Sequence, residues 1–187
     1  MAKKVIALFG KSGAGKDTLC DYLSLSFKNL NRVARITTRP KRENEIEGIS
    51  YLFRSEDLVR KRILHHGEQF LETGIFNNWI YTTHIDQIKE GWNIAAYDVD
   101  AVRQMIDNYY EVQVFPVYVQ TSDKIRLLRA LTREENPNVK EIVRRYQSDE
   151  KDYSSIDFDY ISLDNTNELD VENIYNQLLK NNIDLRN

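Results

Sequence analysis

Cysteine occurs once in the 187 residues, at Cys20, which excludes an internal disulfide framework and fits a reducing, cytoplasmic compartment. No apolar run approaches the ~20 residues of a membrane-spanning helix. The first ten residues carry Lys3, Lys4 and an apolar patch, but Gly10-Lys11-Ser12-Gly13 stops that patch short of a signal-peptide core. Neither sign of charge dominates: 26 Lys and Arg stand against 29 Asp and Glu, a net charge of −3. Sequence-independent binding to nucleic acid calls for a basic surface, so neither nucleic acid nor membrane is an expected partner. Glycine is scarce as well. There are 7, and Gly10, Gly13 and Gly15 fall within six positions, as though the backbone must be bare at that one place.

Hydrophobic residues make up 41% of the chain, enough with the glycines for one packed domain. Val5–Phe9 is a short continuous apolar run, the pattern of a strand buried on both faces. The glycine cluster follows. Lys16 to about Leu30 then shows helical spacing, with Leu19, Leu23 and Phe27 on one stripe. Arg32–Thr38, Ile49–Phe53, Trp92–Tyr97, Val112–Val119 and Phe158–Leu163 read as strands, and 70–81 as extended pieces joined at Gly74 and at Asn77-Asn78. Helices are expected from Ser55, as N-cap, to about His66, and over Ile85–Glu90, Asp100–Asn108, Asp123–Leu131, Val139–Asp152 and Asp170–Lys180. Strands alternating with helices predict an α/β fold with a parallel sheet. His65, His66 and His84 read as surface helix residues, and Cys20 as a small core residue.

The stretch Gly10-Lys11-Ser12-Gly13-Ala14-Gly15-Lys16 fits G-x-x-x-x-G-K, directly after a predicted strand and opening a predicted helix, which is the context of a phosphate-binding P-loop. Backbone N–H groups over Gly10, Ser12, Gly13, Ala14 and Gly15 can converge on phosphate oxygens. The helix N-terminus adds positive potential, and Lys16 reaches the β- and γ-phosphates. A P-loop commonly continues with Ser or Thr; here Asp17 follows, a hard oxygen ligand for Mg²⁺ that repels phosphate when no metal intervenes. Thr18 can still offer a hydroxyl. Asp98 closes a predicted apolar strand as a Walker-B acid does, so Asp17 and Asp98 are the candidate Mg²⁺ ligands and ATP the expected donor. The plainer role of helix N-cap or turn acid is assigned to Asp100.

Thr37-Thr38-Arg39-Pro40-Lys41-Arg42, followed by Glu45 and by Gly48-Ile49-Ser50-Tyr51, resembles the nucleoside-monophosphate loop of the guanylate kinase family. The resemblance continues along nearly the whole chain. It places Arg39, Arg42 and Tyr51 on an acceptor phosphate, in keeping with the bidentate forks that guanidinium offers to phosphate. Phe70-Leu71-Glu72 is similar to the family's F-x-E element, which assigns Glu72 to the guanine edge. Ile80-Tyr81-Thr82-Thr83 is similar to its Y-Y-G-S segment, assigning Tyr81 to phosphate and Thr83 to base. Asp98-Val99-Asp100 matches its D-x-D pair, with Asp100 on the substrate side. Arg129, Arg133 and Arg145 match the arginines of its lid, and Asp164-Asn165 lies near its adenine-reading asparagine. After Asp17 in the P-loop, a second position departs from the expected pattern. Where the family carries Ser, this chain has Arg35, which can pair with guanine O6 and N7.

The resemblance implies a three-layer P-loop NTPase fold of one domain. Its core would take in 1–38 and 88–187, with a monophosphate-binding insertion over about 39–87 and a lid over about 133–140. It implies transfer of the ATP γ-phosphoryl to GMP or dGMP, aligned and neutralised by Lys16, Arg39, Arg129, Arg133 and Arg145. Rival readings are a kinase of another small phosphate, such as another deoxynucleoside monophosphate or ribose 1,5-bisphosphate, whose related kinases share Arg35 and the Lys-Asp pair, and a non-catalytic interaction module. A GTPase switch is a further rival, for which no N-K-x-D motif stands in the chain.

Overall fold

Strand β1 (Lys3–Phe9) sends Ile6 and Leu8 into one hydrophobic cluster and Val5, Ala7 and Phe9 into another. Its continuous apolar run is therefore explained by cover on both faces. The computed structural model describes residues 2–186 except Asn44, Tyr109, Tyr110, Glu134 and 167–169, so Asn44 of the acceptor loop and Glu134 of the expected lid lie outside the described residues. Five parallel strands, β2 (Leu30–Arg32), β7 (Gly91–Ala96), β1, β8 (Val112–Gln120) and β9 (Ile161–Asp164), lie side by side in that order. Helices α1 (Lys16–Ser26) and α6 (Val171–Leu179) cover one face and α3 (Val99–Asn108) the other, giving the three-layer α/β architecture. Pro116 is tolerated inside β8 because β9 begins pairing only at Val117, so on that side the missing N–H has no ladder to break.

A second sheet, ordered β4 (Leu52–Phe53), β3 (Ile36–Thr37), β6 (Trp79–His84), β5 (Phe70–Phe76), is mostly antiparallel. It packs on α2 (Glu56–His66) through Ile36, Val59, Phe70 and Ile80. Helices α4 (Asp123–Thr132) and α5 (Val139–Asp152) flank segment 133–138. Among the described residues no helix is long and apolar enough to cross a membrane.

Several expectations change. Arg32–Thr38 is not one strand: after Val33 donates to the Ile94 carbonyl the chain leaves the main sheet, and Ile36–Thr37 joins the second, ahead of the expected start of the insertion. Gly74 does not join two pieces; it sits inside β5 opposite Tyr81, and the hairpin turns at Asn77 and Asn78, both with left-handed φ. Ile85–Gln87 is a single 3₁₀ turn capped by His84, which is buried against Phe70 rather than on a surface helix, and burial lowers its pKa. The N-cap of α3 is Asp98, whose Oδ1 accepts from Ala101 N at 2.8 Å, and Asp100 lies inside the first turn. Cys20 is buried in the core, as expected, and burial pushes its thiol up to about 12.

Candidate active site

Parallel strands bring every loop at their carboxyl ends to one edge, the usual place for a ligand in such a sheet. Residues 10–15 after β1, Tyr97 and Asp98 after β7, Thr121 after β8 and Asn165 after β9 all meet there. The loop needs its glycines. At Gly10 (φ +147°) a Cβ would stand 2.8 Å from the Val119 carbonyl oxygen, and at Gly13 (φ +78°) 2.7 Å from that of Arg126. Gly15 precedes α1 with no side chain capping the helix, which leaves the first-turn N–H groups to a ligand. Lys16 Nζ donates to the carbonyls of Gly10 at 2.5 Å and Lys11 at 3.3 Å, held over the loop where phosphates would lie. Burial lowers its pKa, while Asp17, Asp149 and Asp98 pull the other way. Asp17 and Thr18 are exposed on the first turn.

The loop is gripped from behind, first by Asp149, Arg126 and Tyr153, which no motif announced. Asp149 of α5 accepts from Ser12 N at 2.8 Å and from Ser12 Oγ at 3.2 Å. Arg126 of α4, 1% exposed, donates to the Ser12 carbonyl at 2.9 Å and to Asp149 at 2.7 Å. Tyr153 Oη donates to the Gly10 carbonyl at 2.9 Å. The carbonyl of buried Ala14 receives Asn165 Nδ2 at 2.8 Å, Thr121 Oγ1 at 3.1 Å and Arg129 Nη1 at 3.3 Å. Arg129 thus reaches the loop. Arg133 is exposed at the end of α4, and Arg145 lies away from the loop, donating to Glu141 at 2.8 Å.

The second cluster lies between the two sheets. Arg35 and Glu72, 5% and 2% exposed, form a bidentate pair: Nε to Oε1 at 3.2 Å and Nη2 to Oε2 at 2.9 Å. Arg35 Nη1 also donates to the Ala96 carbonyl at 3.1 Å, and Thr83 Oγ1 donates to Glu72 Oε1 at 2.8 Å. Burial pushes the Glu72 pKa up, against Arg35 and Thr83. Both arms of the Arg35 fork and the Thr83 hydroxyl point at the carboxyl, an arrangement that favours its ionised form against the cost of burial. A bulge between Phe70 and Glu72 turns Leu71 into the main core and leaves Glu72 facing this cluster. The Arg35 guanidinium lies 4.7 Å from the Tyr97 ring and 5.9 Å from that of Tyr81. The Tyr97 hydroxyl is buried beside Thr83 with no hydrogen bond of normal geometry.

Arg39 lies over Tyr51 and Phe53, at 4.9 and 5.4 Å, and spends its fork on Glu45, which also accepts from Arg42 N at 2.9 Å. Tyr51 packs edge-on against Tyr81 at 5.9 Å. Burial, with Asp17 second, pushes the Tyr51 phenol up to about 12. The Arg42 side chain is exposed, and Asp100 faces away, paired with Arg103. The two clusters are electrostatic neighbours: Asp98 acts on Lys16 as well as on Arg35 and Glu72, and Asp17 on Lys16 as well as on Tyr51.

Among the described residues no group of three or more His, Cys, Asp or Glu gathers as a metal cage. Mg²⁺ with phosphates needs only one or two carboxylates, and exposed Asp17 and Asp98 beside Lys16 meet that requirement.

Comparison with known proteins agrees with this geometry. The model of the guanylate kinase family matches residues 2–183. The guanylate kinase of Bacteroides fragilis is 34% identical over 123 residues, 63% of this chain but only 59% of that protein's length. That of Helicobacter pylori is 31% identical over 151 residues, 76% of this chain and 72% of the relative. A crystal structure of guanylate kinase from Anaplasma phagocytophilum superposes with a TM-score of 0.64 over 98% of this chain and 85% of that one; at 16% identity it speaks for the fold. With its P-loop, its two-sheet architecture and a family match over nearly its full length, this chain belongs to the guanylate kinase family.

Proposed function

We propose that this protein transfers the γ-phosphoryl group of ATP to the phosphate of GMP or dGMP. The observation that carries the reading is the adjacency of two unlike clusters, a P-loop with its lysine and a buried arginine–carboxylate–tyrosine group, linked through Asp17 and Asp98. The triphosphate would lie on the N–H groups of Gly10–Gly15 and the first turn of α1, with Lys16 on its β- and γ-phosphates and Thr18 in reach. Arg39, Arg42, Tyr51 and Tyr81 would hold the acceptor phosphate, Arg39 exchanging Glu45 for it. Glu72, Thr83 and Arg35 would frame the base. Asp100 would have to leave Arg103 to take part.

The acceptor phosphate is already an anionic nucleophile at neutral pH, so no base is required. Alignment and charge neutralisation supply the catalysis, with Arg129 at the loop and Arg133 and Arg145 arriving from the lid. Mg²⁺ on Asp17 and Asp98 would supply further charge neutralisation at the phosphate oxygens. The lone buried cysteine fits a cytoplasmic enzyme acting on small nucleotides.

A coupled ADP-release assay across GMP, dGMP, AMP, UMP, CMP and ribose 1,5-bisphosphate tests the reading. GMP and dGMP are expected to be turned over fastest, with Arg39→Ala raising the acceptor KM and sparing ATP binding. Faster turnover of AMP or of the sugar phosphate would overturn it.

A further inference from the structure

An ionised carboxylate has about four lone-pair sites, two on each oxygen. Among the described residues three donors already reach Glu72: Arg35 Nε and Thr83 Oγ1 on Oε1, and Arg35 Nη2 on Oε2. One site remains, on Oε2. Guanine presents two donors on its pairing edge, N1–H and the 2-amino group, and a carboxylate that reads both must offer one site on each oxygen. This carboxylate can accept only one.

Donors, by contrast, are in surplus. Arg35 has five N–H groups, of which Glu72 and the Ala96 carbonyl take three. Among the described residues two stay unspent, and the buried Tyr97 hydroxyl, beside Thr83 in the same cluster, makes no hydrogen bond of normal geometry. A ligand edge that fits has one donor and one acceptor side by side, which is the N1–H and O6 of a 6-oxopurine. The 2-amino group is left without an acceptor. Adenine offers the reverse pair, a bare N1 and an amino group, so it would set lone pair against carboxylate and N–H against guanidinium.

Resting on the proposed activity, we infer that the acceptor class of this site is the 6-oxopurine nucleoside monophosphates, with IMP accepted beside GMP because Arg35 and Thr83 occupy the part of Glu72 that would read the 2-amino group. Arg35 then sets specificity twice, by donating to O6 and by occupying part of Glu72.

Calorimetric Kd values for GMP, IMP and AMP read the inference, while ADP release reads the activity, so the two can fail separately. IMP is expected to bind within about tenfold of GMP, the scale of one ordinary hydrogen bond, and AMP weaker by roughly 10² or more. Thr83→Val removes one donor while keeping the shape, freeing a site on Oε1, and should widen the GMP-to-IMP ratio several-fold. Arg35→Lys, which cannot fork, should widen it too. GMP bound more tightly than IMP by about 10³ in the wild type would mean that Arg35 gives up Glu72 to the base, and the inference falls whatever the turnover. It falls equally if neither 6-oxopurine binds.

Discussion

Lys16 rests on two carbonyls of its own loop, so its ammonium is oriented before any nucleotide arrives. Lys16→Ala removes a preorganised cation from the transferring phosphate, and kcat should fall by a factor of roughly 10² or more with the fold unchanged by circular dichroism. Near-wild-type turnover would take Lys16 out of the mechanism. Asp17 poses the opposite problem, an exposed carboxylate one residue on, whose ion-pair partner among the described residues, Arg32, stands at 3.4 Å. With so weak a partner its charge is felt at Lys16, so metal-free ATP should bind poorly to the wild type and better to Asp17→Ser, with the difference shrinking once Mg²⁺ is added. Equal metal-free affinities, measured by calorimetry, would show that Asp17 does not face the phosphates.

At the scale of elements, the P-loop owes its shape to α4 and α5 as much as to its own glycines. Arg126 and Asp149 are a buried pair whose bonds to both polar ends of Ser12 fix the loop between them. Removing Asp149 takes away one of two carboxylates from buried Arg126, whose Nη1 still donates to Asp123 at 2.6 Å. Asp149→Ala should therefore cost about 1–3 kcal/mol of unfolding free energy by urea denaturation, the scale of lost buried hydrogen bonds with Arg126 still paired to Asp123. Replacing both, as Arg126→Met with Asp149→Leu, should restore much of that stability while still weakening ATP binding, because the Ser12 N–H and carbonyl lose their partners. A double variant as unstable as the single one would mean that the pair contributes through packing rather than charge. The bulge at Leu71 is the corresponding device in the second sheet: without it Glu72 and Leu71 would exchange faces, and the carboxylate would leave the pocket.

Across the whole molecule, the start of α5 touches the β5–β6 hairpin. Glu141 binds Arg144 at 2.7 and 2.9 Å and Arg145 at 2.8 Å, and accepts from Asn77 Nδ2 at 3.1 Å, while both guanidinium groups lie over Phe76. Arg144 first, then Arg145 and Asn77, hold the Glu141 carboxyl down to about 2 from an ordinary 4.5. A depressed carboxylate contributes its stabilisation in full above the ordinary value and loses it as pH falls toward the depressed one. The hairpin–α5 contact should accordingly loosen between about pH 4.5 and about 2, seen as a rise in the distance between fluorophores on the two elements. Glu141→Gln should abolish that step; an identical profile in the variant would place the titration elsewhere.

Periodicity and motif were enough to establish the layered α/β core, the P-loop between β1 and α1, and the family to which the loop segments belong. Those features are local: an apolar run covered on both faces, bare backbone at Gly10–Gly15 and a basic loop at 37–42 each carry their reason within a few neighbouring residues. The partners of the site were not legible. Asp149, Arg126 and Tyr97 sit in ordinary helix and strand patterns and become functional only when elements far apart in sequence close around residues 10–16 and 72. Arg35 and Glu72 were each legible as candidate base readers, yet that they bind one another depended on the chain leaving the main sheet after Val33 and on the bulge beside Glu72. A side chain's chemistry is written in its residue type, but which of its hydrogen-bonding sites stay open for a ligand is decided by the neighbours that folding brings to it.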